Sequence, residues 1–174
     1  MLSEKNKSRI ADLGDLLEGL AQAGIEFVLV GGLAAVIQGV PVTTMDMDIV
    51  HHQTEENIKK LLKFLKSADA YYRRVDDKVI EPDERDFSAK GHVLLSTCHG
   101  PLDILAVIEK GHGYEELVPN SAEIEFRGYK IRVMNLETMI ELKRGSGHPK
   151  DLWRLPILEE TLRQLSDKKL TNMI

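Results

Sequence analysis

Apolar side chains recur at helical spacing along several parts of this chain. From Ile10 to Leu20 they stand three or four positions apart, which predicts an amphipathic helix over residues 8–23. A second helix is predicted over residues 54–68, because Thr54 is suited to cap its first turn and its lysines fall mostly outside the apolar stripe. Further helices are predicted over residues 33–38, 135–144 and 149–165.

Shorter apolar runs, several of them rich in β-branched residues, predict the strands. Residues 25–30 (IEFVLV) are typical of a buried strand, and Gly31-Gly32 ends it. Residues 45–50 (MDMDIV) suit a second strand. The charge-rich residues 71–90 predict a strand edge followed by a long exposed loop. The remaining strands are predicted over residues 91–97, 102–107, 122–126 and 129–133, with turns at His99-Gly100-Pro101 and Arg127-Gly128.

The order of these elements predicts a single α/β (α+β) domain over residues 1–174. Its mixed sheet, flanked by helices, is expected in a core of about residues 25–133, and a helical C-terminal portion over about residues 135–165. A length of 174 residues and a hydrophobic content of 43% suffice for one ordinary core.

Charge and cysteine content limit the classes of function. The formal net charge of -5 disfavours tight non-specific binding to nucleic acid. One cysteine, Cys98, excludes an internal disulfide. Residues 1–9 lack the apolar stretch of a secretory signal, and no apolar run approaches the roughly 18–20 residues that span a bilayer. We therefore expect a cytoplasmic protein with no membrane partner. A local basic cluster remains: Lys143, Arg144, Lys150 and Arg154.

The stretch from Gly31 to Asp48 carries the first chemical signal. A strand that ends in Gly31-Gly32 and turns at once into a helix lets backbone N–H groups approach a phosphate closely, because no Cβ intervenes. Asp46 and Asp48 stand two positions apart on a predicted strand, so both carboxylates are expected on one face. A divalent cation would relieve their repulsion, and Mg²⁺ prefers oxygen ligands. The alternative is an edge strand with two solvated aspartates.

A third carboxylate favours the metal site. Asp103 is a charged residue at the start of the otherwise apolar strand predicted over residues 102–107. A charge in such a position must be paired, hydrated or bound to metal. If this strand lies beside residues 45–50, all three aspartates can converge.

The order of these motifs resembles the DNA polymerase beta-type nucleotidyltransferase superfamily. Within it, the chain is most similar to the small bacterial group that includes the abortive-infection toxin nucleotidyltransferases. That group's pattern is matched by GGLAA at residues 31–35, GVP at 39–41, TMDMD at 44–48 and the basic LKRGSGHPKDL at 142–152. Asp103 stands where the family places its third carboxylate. The resemblance covers roughly residues 25–160, and Val42 departs from it, since many relatives have a basic residue there.

The resemblance implies a metal-dependent transferase that moves a nucleoside monophosphate from a nucleoside triphosphate such as ATP to an acceptor hydroxyl, with release of pyrophosphate. Asp46, Asp48 and Asp103 would be the catalytic and metal-binding residues, with Mg²⁺ or Mn²⁺ as cofactor. The nucleotide-binding residues would be Gly31, Gly32, Thr44, Lys143 and Lys150.

The resemblance leaves the acceptor and the biological setting open. The acceptor could be RNA, a protein or a small molecule such as an antibiotic, and a toxin–antitoxin pair is one setting. The alternative is a catalytically inactive module of the same fold that binds a nucleotide or a protein partner, for example as an antitoxin.

Three further residues complete the expectations. Lys143 lies seven positions after Leu136 on the apolar stripe of its helix, so it either snorkels to solvent or reaches inward to a triphosphate. The histidines lack a metal-ligand spacing such as HExxH, and only His51, close after the two aspartates, is a possible exception. Trp153 is expected to anchor the last helix in the core rather than to stack on a base.

Overall fold

Helices and strands are interspersed along the computed structural model, which describes residues 11–76 and 78–172. None of the helices in these ranges is both long and apolar enough to cross a membrane. The helices are α1 (Leu13–Gln22), α2 (Gly31–Ile37), α3 (Glu55–Ser67), α4 (Glu84–Ser88), α5 (Tyr114–Leu117), α6 (Leu136–Ser146) and α7 (Pro149–Thr171). The strands are β1 (Phe27–Val30), β2 (Met47–His51), β3 (Tyr71–Tyr72), β4 (His92–Thr97), β5 (Gly100–Leu105), β6 (Ser121–Phe126) and β7 (Tyr129–Met134).

Within these ranges the strands form one mixed seven-stranded sheet in the order β3-β4-β5-β2-β1-β7-β6. The pairs β2–β5 and β1–β7 are parallel, and the other neighbours are antiparallel. All four residues of β1 are buried, as expected for a central strand covered on both faces. The hydrophobic core therefore surrounds β1, β2 and β5, and these three strands also lead into the candidate site.

Side-chain caps fix how the helices attach to this sheet. Thr54 accepts a hydrogen bond from the backbone N–H of Asn57 at 3.3 Å and starts α3, and Asn135 caps α6 in the same way. The buried Asn57 side chain donates to the carbonyls of Glu26 and His52, both at 2.9 Å. These bonds tie α3 to the ends of β1 and β2 that lie opposite the candidate site.

The predicted strands and the predicted helices are present, with shifted ends. Residues 8–10 of the first predicted helix lie outside the described residues. The last helix continues past its predicted end at Leu165 to Thr171. Exposed ion pairs one helical turn apart, such as Arg163–Asp167, stabilise the part of this helix that lies beyond its buried residues.

Two short α-helices within the described residues were not predicted. The prediction of an exposed loop over residues 71–90 is wrong at α4, where Asp83 forms a capping box and Phe87 is fully buried. Helix α5 lies between β5 and β6, in a segment for which no element was predicted. Helices of one turn contain too few residues to show a 3.6-residue period, so sequence patterns do not reveal them.

The predicted core position of Trp153 is also wrong. Its relative exposure is 84%, whereas Leu155 and Leu158 anchor α7 in the core. An aromatic side chain is not by itself evidence of burial in an amphipathic helix, because the buried face is set by the neighbouring elements.

Candidate metal and nucleotide site

Strands β1, β2 and β5 bring the candidate residues together at one end of the sheet. Val30 is the register partner of Asp48, and Asp48 is the partner of Asp103. Adjacent strands lie about 4.8 Å apart, so two carboxylates that are distant in sequence become neighbours. One oxygen from each of Asp46, Asp48 and Asp103 lies within 4.8 Å of the other two. We call these three residues the acidic trio; their role as metal ligands stays a prediction.

Two details of the trio differ from expectation. Asp46 is not on a strand, because β2 begins at Met47, so the alternation of side chains along a strand does not place it. It lies in a bend where the Thr44 hydroxyl donates to the backbone carbonyl of Asp46 at 3.0 Å. Asp103 lies in the middle of β5 rather than at its start, because Gly100 and Pro101 already pair with β4.

The two glycines after β1 leave space for side chains of the site. Gly31 has a φ of +68°, and a Cβ added there would lie 3.0 Å from the carboxyl carbon of Asp48. A Cβ on Gly32 would lie 2.8 Å from the Thr44 hydroxyl oxygen. Both distances are shorter than a van der Waals contact, so any larger residue would push against groups that shape the acidic trio.

The electrostatics of the trio favour an added positive charge. Burial raises the pKa of Asp48 to about 7, with further contributions from the negative charges of Asp46 and Asp103. The positive charges of Arg73 and Arg154 oppose this shift. Burial also raises the pKa of Asp103, against the influence of Arg73. Three partly buried carboxylates at these distances could hold a divalent metal ion, since such ions bind oxygen ligands.

Lys143 lies in the wall of a cavity of about 180 Å³ that Gly31 and Asp48 also line. Its ammonium donates to Asp151 Oδ1 at 2.8 Å, and its side chain is 18% exposed. Burial would raise the pKa of Asp151, but hydrogen bonds from Lys143 and Ser146 outweigh it and hold the pKa below its usual value. Lys143 thus faces an ionised carboxylate rather than open solvent, and its contact with a nucleotide stays a prediction.

The other sequence candidates lie in different surroundings. Lys150 is exposed in the first turn of α7, so its role also stays a prediction. His51 is buried, with its ring nitrogens 3.1 Å from the Leu105 carbonyl oxygen and 3.0 Å from the Phe87 carbonyl oxygen. Burial lowers the pKa of His51. We therefore assign His51 to packing between β2, β5 and α4.

Sequence reasoning missed Arg73, which forms an ion pair with Asp103. This arginine follows the edge strand β3 and belongs to no recognisable motif. The sequence does not distinguish Arg73 from the charged residues around it, because its contact with Asp103 depends on how β3, β4 and β5 align.

Comparisons with known proteins support the fold. No protein-family model matches this chain, and neither does any curated protein. Among solved structures, the lincomycin-bound lincosamide antibiotic adenylyltransferase LnuA has a TM-score of 0.56 at 15% identity, covering 86% of this chain and 95% of that chain. A crystal structure of ANT(2'')-Ia in complex with adenylyl-2''-tobramycin has a TM-score of 0.52 at 13% identity, covering 86% and 87%. A solution structure of ANT(2'')-Ia has a TM-score of 0.50 at 13% identity, covering 92% and 90%.

These likenesses show that the chain has the nucleotidyltransferase fold, with a mixed sheet and a helical C-terminal part. The predicted fold class is thereby confirmed. At such low identities the likeness establishes the fold alone. Membership of the toxin-like subgroup stays a prediction.

We predict that Gly31→Ala destabilises the protein more than Gly24→Ala does. The two glycines have nearly equal φ angles of +68° and +67°, so alanine costs about 1–2 kcal/mol at either position. A Cβ at Gly24 meets nothing within 4 Å, whereas one at Gly31 overlaps the Asp48 carboxylate. This overlap should lower the unfolding free energy of Gly31→Ala by about a further 1–3 kcal/mol. Urea unfolding in EDTA measures the difference. Equal losses for the two variants would show that Gly31 is not needed to accommodate Asp48.

We also predict that Asp48 makes the metal-free protein less stable as pH rises. Between its usual pKa of 3.8 and its folded value of about 7, the folded protein holds a proton that the unfolded chain has released. The contribution of Asp48 to the unfolding free energy should therefore fall through this window. Asp48→Asn should make the decline shallower, while the raised pKa of Asp103 keeps part of it. At about pH 8 the variant should be more stable by about 1–3 kcal/mol.

Urea unfolding in EDTA at several pH values measures this effect. Asp76→Asn is the matched control, because Asp76 is 44% exposed and pairs with Arg74 away from the trio. It should leave the slope between about pH 5 and 7 unchanged, because the hydrogen bond from Arg74 lowers the pKa of Asp76, which is therefore ionised in both states over that range. An identical slope in the parent and in Asp48→Asn would contradict the raised pKa.

Proposed function

We propose that this protein transfers a nucleoside monophosphate from a nucleoside triphosphate to an acceptor hydroxyl and releases pyrophosphate. The observation that carries the proposal is the acidic trio, whose oxygens lie within 4.8 Å of one another on a nucleotidyltransferase fold. Solvated acidic side chains are common on surfaces, but these three are partly buried, and Asp48 lies against Gly31, directly after β1.

The trio would hold Mg²⁺ or Mn²⁺. Bound divalent cations would bind the triphosphate and neutralise the charge that develops on the attacking and leaving oxygens. Thr44 would keep Asp46 in place through its bond to the Asp46 backbone. Gly31 and Gly32 would let the backbone approach the phosphates, in addition to leaving space for Asp48 and Thr44.

Two lysines would complete the nucleotide site. Lys143, oriented by Asp151 in the cavity wall, would supply a positive charge to the phosphates. Lys150, one position before Asp151 in the first turn of α7, would add a second cation from the exposed side. A lysine suits this role because phosphate recognition by a point charge needs no bidentate geometry.

Transfer would follow a single displacement. The acceptor oxygen forms a bond to the α-phosphorus while the bond from that phosphorus to the bridging oxygen breaks, and the electron pair leaves with pyrophosphate. Asp103 would receive the hydroxyl proton, because a carboxylate beside the acceptor can act as a general base.

The acceptor class is a separate part of the proposal. LnuA is a lincosamide antibiotic adenylyltransferase, and ANT(2'')-Ia was solved with adenylyl-2''-tobramycin, so adenylyl transfer from ATP to a small hydroxyl compound is one candidate for this chain. RNA and protein hydroxyls are the others, and a toxin–antitoxin pair is one biological setting. The rival function is an inactive module that binds a nucleotide or a protein partner without transfer.

We predict that labelled nucleotide is transferred to one acceptor class and that the trio is required. The protein is incubated with each α-labelled triphosphate in turn, Mg²⁺ or Mn²⁺, and cell extract, and the products are separated into RNA, protein and small molecules. Asp46→Asn, Asp48→Asn and Asp103→Asn should each lower transfer at least about 100-fold, as expected when a group that stabilises transition-state charge is lost. Asp76→Asn, an exposed aspartate away from the trio, should transfer normally.

Other outcomes would revise this assignment. Metal-dependent nucleotide binding without transfer to any fraction would favour the inactive module. Near-normal transfer by one asparagine variant would remove the metal role of that residue. Circular dichroism and melting temperature, recorded for each variant, distinguish lost chemistry from lost folding.

A further inference from the structure

Arg73 contacts the acidic trio although no sequence motif contains it. Its guanidinium Nη2 donates to Oδ1 of Asp103 in an ion pair. The side chains are 35% and 14% exposed, so Asp103 is largely shielded from water while Arg73 reaches it from the surface. The adjacent Arg74 differs, because it pairs with Asp76 and both of those side chains are more than 40% exposed.

The sheet fixes the position of Arg73 relative to the trio. The backbone N–H of Arg73 donates to the Leu94 carbonyl at 2.9 Å, and Leu94 is the register partner of Asp103. Asp103 is in turn the partner of Asp48. One row across the sheet therefore runs from Arg73 through Leu94 and Asp103 to Asp48. The backbone of Arg73 is thus fixed beside this row, with its guanidinium within reach of Asp103.

The Arg73–Asp103 pair conflicts with metal binding. A carboxylate oxygen that accepts from a guanidinium is less available as a metal ligand, and the positive charge repels a divalent cation. Within residues 11–76 and 78–172, neither Asp46 nor Asp48 forms an ion pair, so their oxygens are free of such competition. The trio thus consists of two available carboxylates and one that already has a counter-ion.

We propose that Arg73 is the internal counter-ion of the acidic trio and controls when Asp103 becomes available to metal. Without nucleotide, Arg73 holds Asp103, and Asp46 and Asp48 bind a divalent cation weakly. When a triphosphate arrives with its metal, the guanidinium leaves Asp103 and turns to the added negative charge of the substrate. Arg73 is then a positioning residue that couples metal occupancy to substrate binding. This inference rests on the proposed function, because it needs a metal site at the trio.

The experiment measures Mn²⁺ affinity of the nucleotide-free protein from the paramagnetic resonance signal of free Mn²⁺. Arg73→Ala should bind Mn²⁺ about tenfold more tightly than the parent, because one nearby positive charge is removed. Arg73→Lys keeps the charge and should stay within about twofold of the parent. Arg74→Ala removes an adjacent charge that pairs elsewhere and should also match the parent. If Arg73→Ala does not fold, Arg73→Gln gives the same neutral comparison with more of the side chain retained.

The outcomes separate this inference from the proposed function. If the neutral Arg73 variants bind Mn²⁺ no more tightly than the parent while Asp48→Asn loses binding, the metal site stands and the role of Arg73 is overturned. If Arg74→Ala tightens Mn²⁺ binding as much as Arg73→Ala does, the effect is one of general charge. If Arg73→Lys does so, the effect is one of side-chain size. Either result overturns the role of Arg73 as a local counter-ion. If neither the parent nor any variant binds Mn²⁺ without nucleotide, the role of Arg73 is overturned. The metal site of the proposed function is overturned only if a triphosphate also binds equally well in Mg²⁺ and in EDTA.

Discussion

Repulsion among three partly buried carboxylates is the constraint around which this site is arranged. Strand register holds Asp48 beside Asp103, and a bend held by Thr44 adds Asp46. The neighbouring strands cannot separate to relieve the repulsion, because β2 and β5 form the centre of the hydrophobic core. The folded protein therefore holds negative charge in a place where solvent compensates it poorly, which is why the pKa of Asp48 is raised to about 7.

The surroundings compensate this charge only in part. Arg73 donates to one oxygen of Asp103, and the positive charge of Arg154 on α7 lowers the pKa of Asp48. The Lys143 ammonium already donates a hydrogen bond to Asp151, so it does not compensate the trio. A divalent cation that arrives with a triphosphate would complete the compensation, so metal and nucleotide would bind better together than apart. Functional sites of this kind lower the stability of the protein without ligand, a common cost of function.

Much of the fold and the composition of the acidic trio could be predicted from the sequence. Apolar runs identified β1, β2 and β5. The charge of Asp103 within one of these runs indicated that it joins Asp46 and Asp48 in one site. The remaining features depend on three-dimensional register. The need for glycine at position 31 follows from the Asp48 side chain across the strand pair, and the contact of Arg73 with Asp103 follows from the alignment of three strands. The exposure of Trp153 depends on which face of α7 meets α6.

We expect the acidic trio to bind a nucleoside triphosphate through a divalent metal. The most direct test is the melting temperature with a non-hydrolysable triphosphate analogue, in Mg²⁺ and in EDTA, for the parent and for Asp48→Asn. In Mg²⁺ the analogue at about 100 times its Kd should raise the melting temperature of the parent by about 5 °C or more. In EDTA, or in Asp48→Asn, the shift should be much smaller. Equal shifts with and without metal, or a full shift in Asp48→Asn, would contradict the claim.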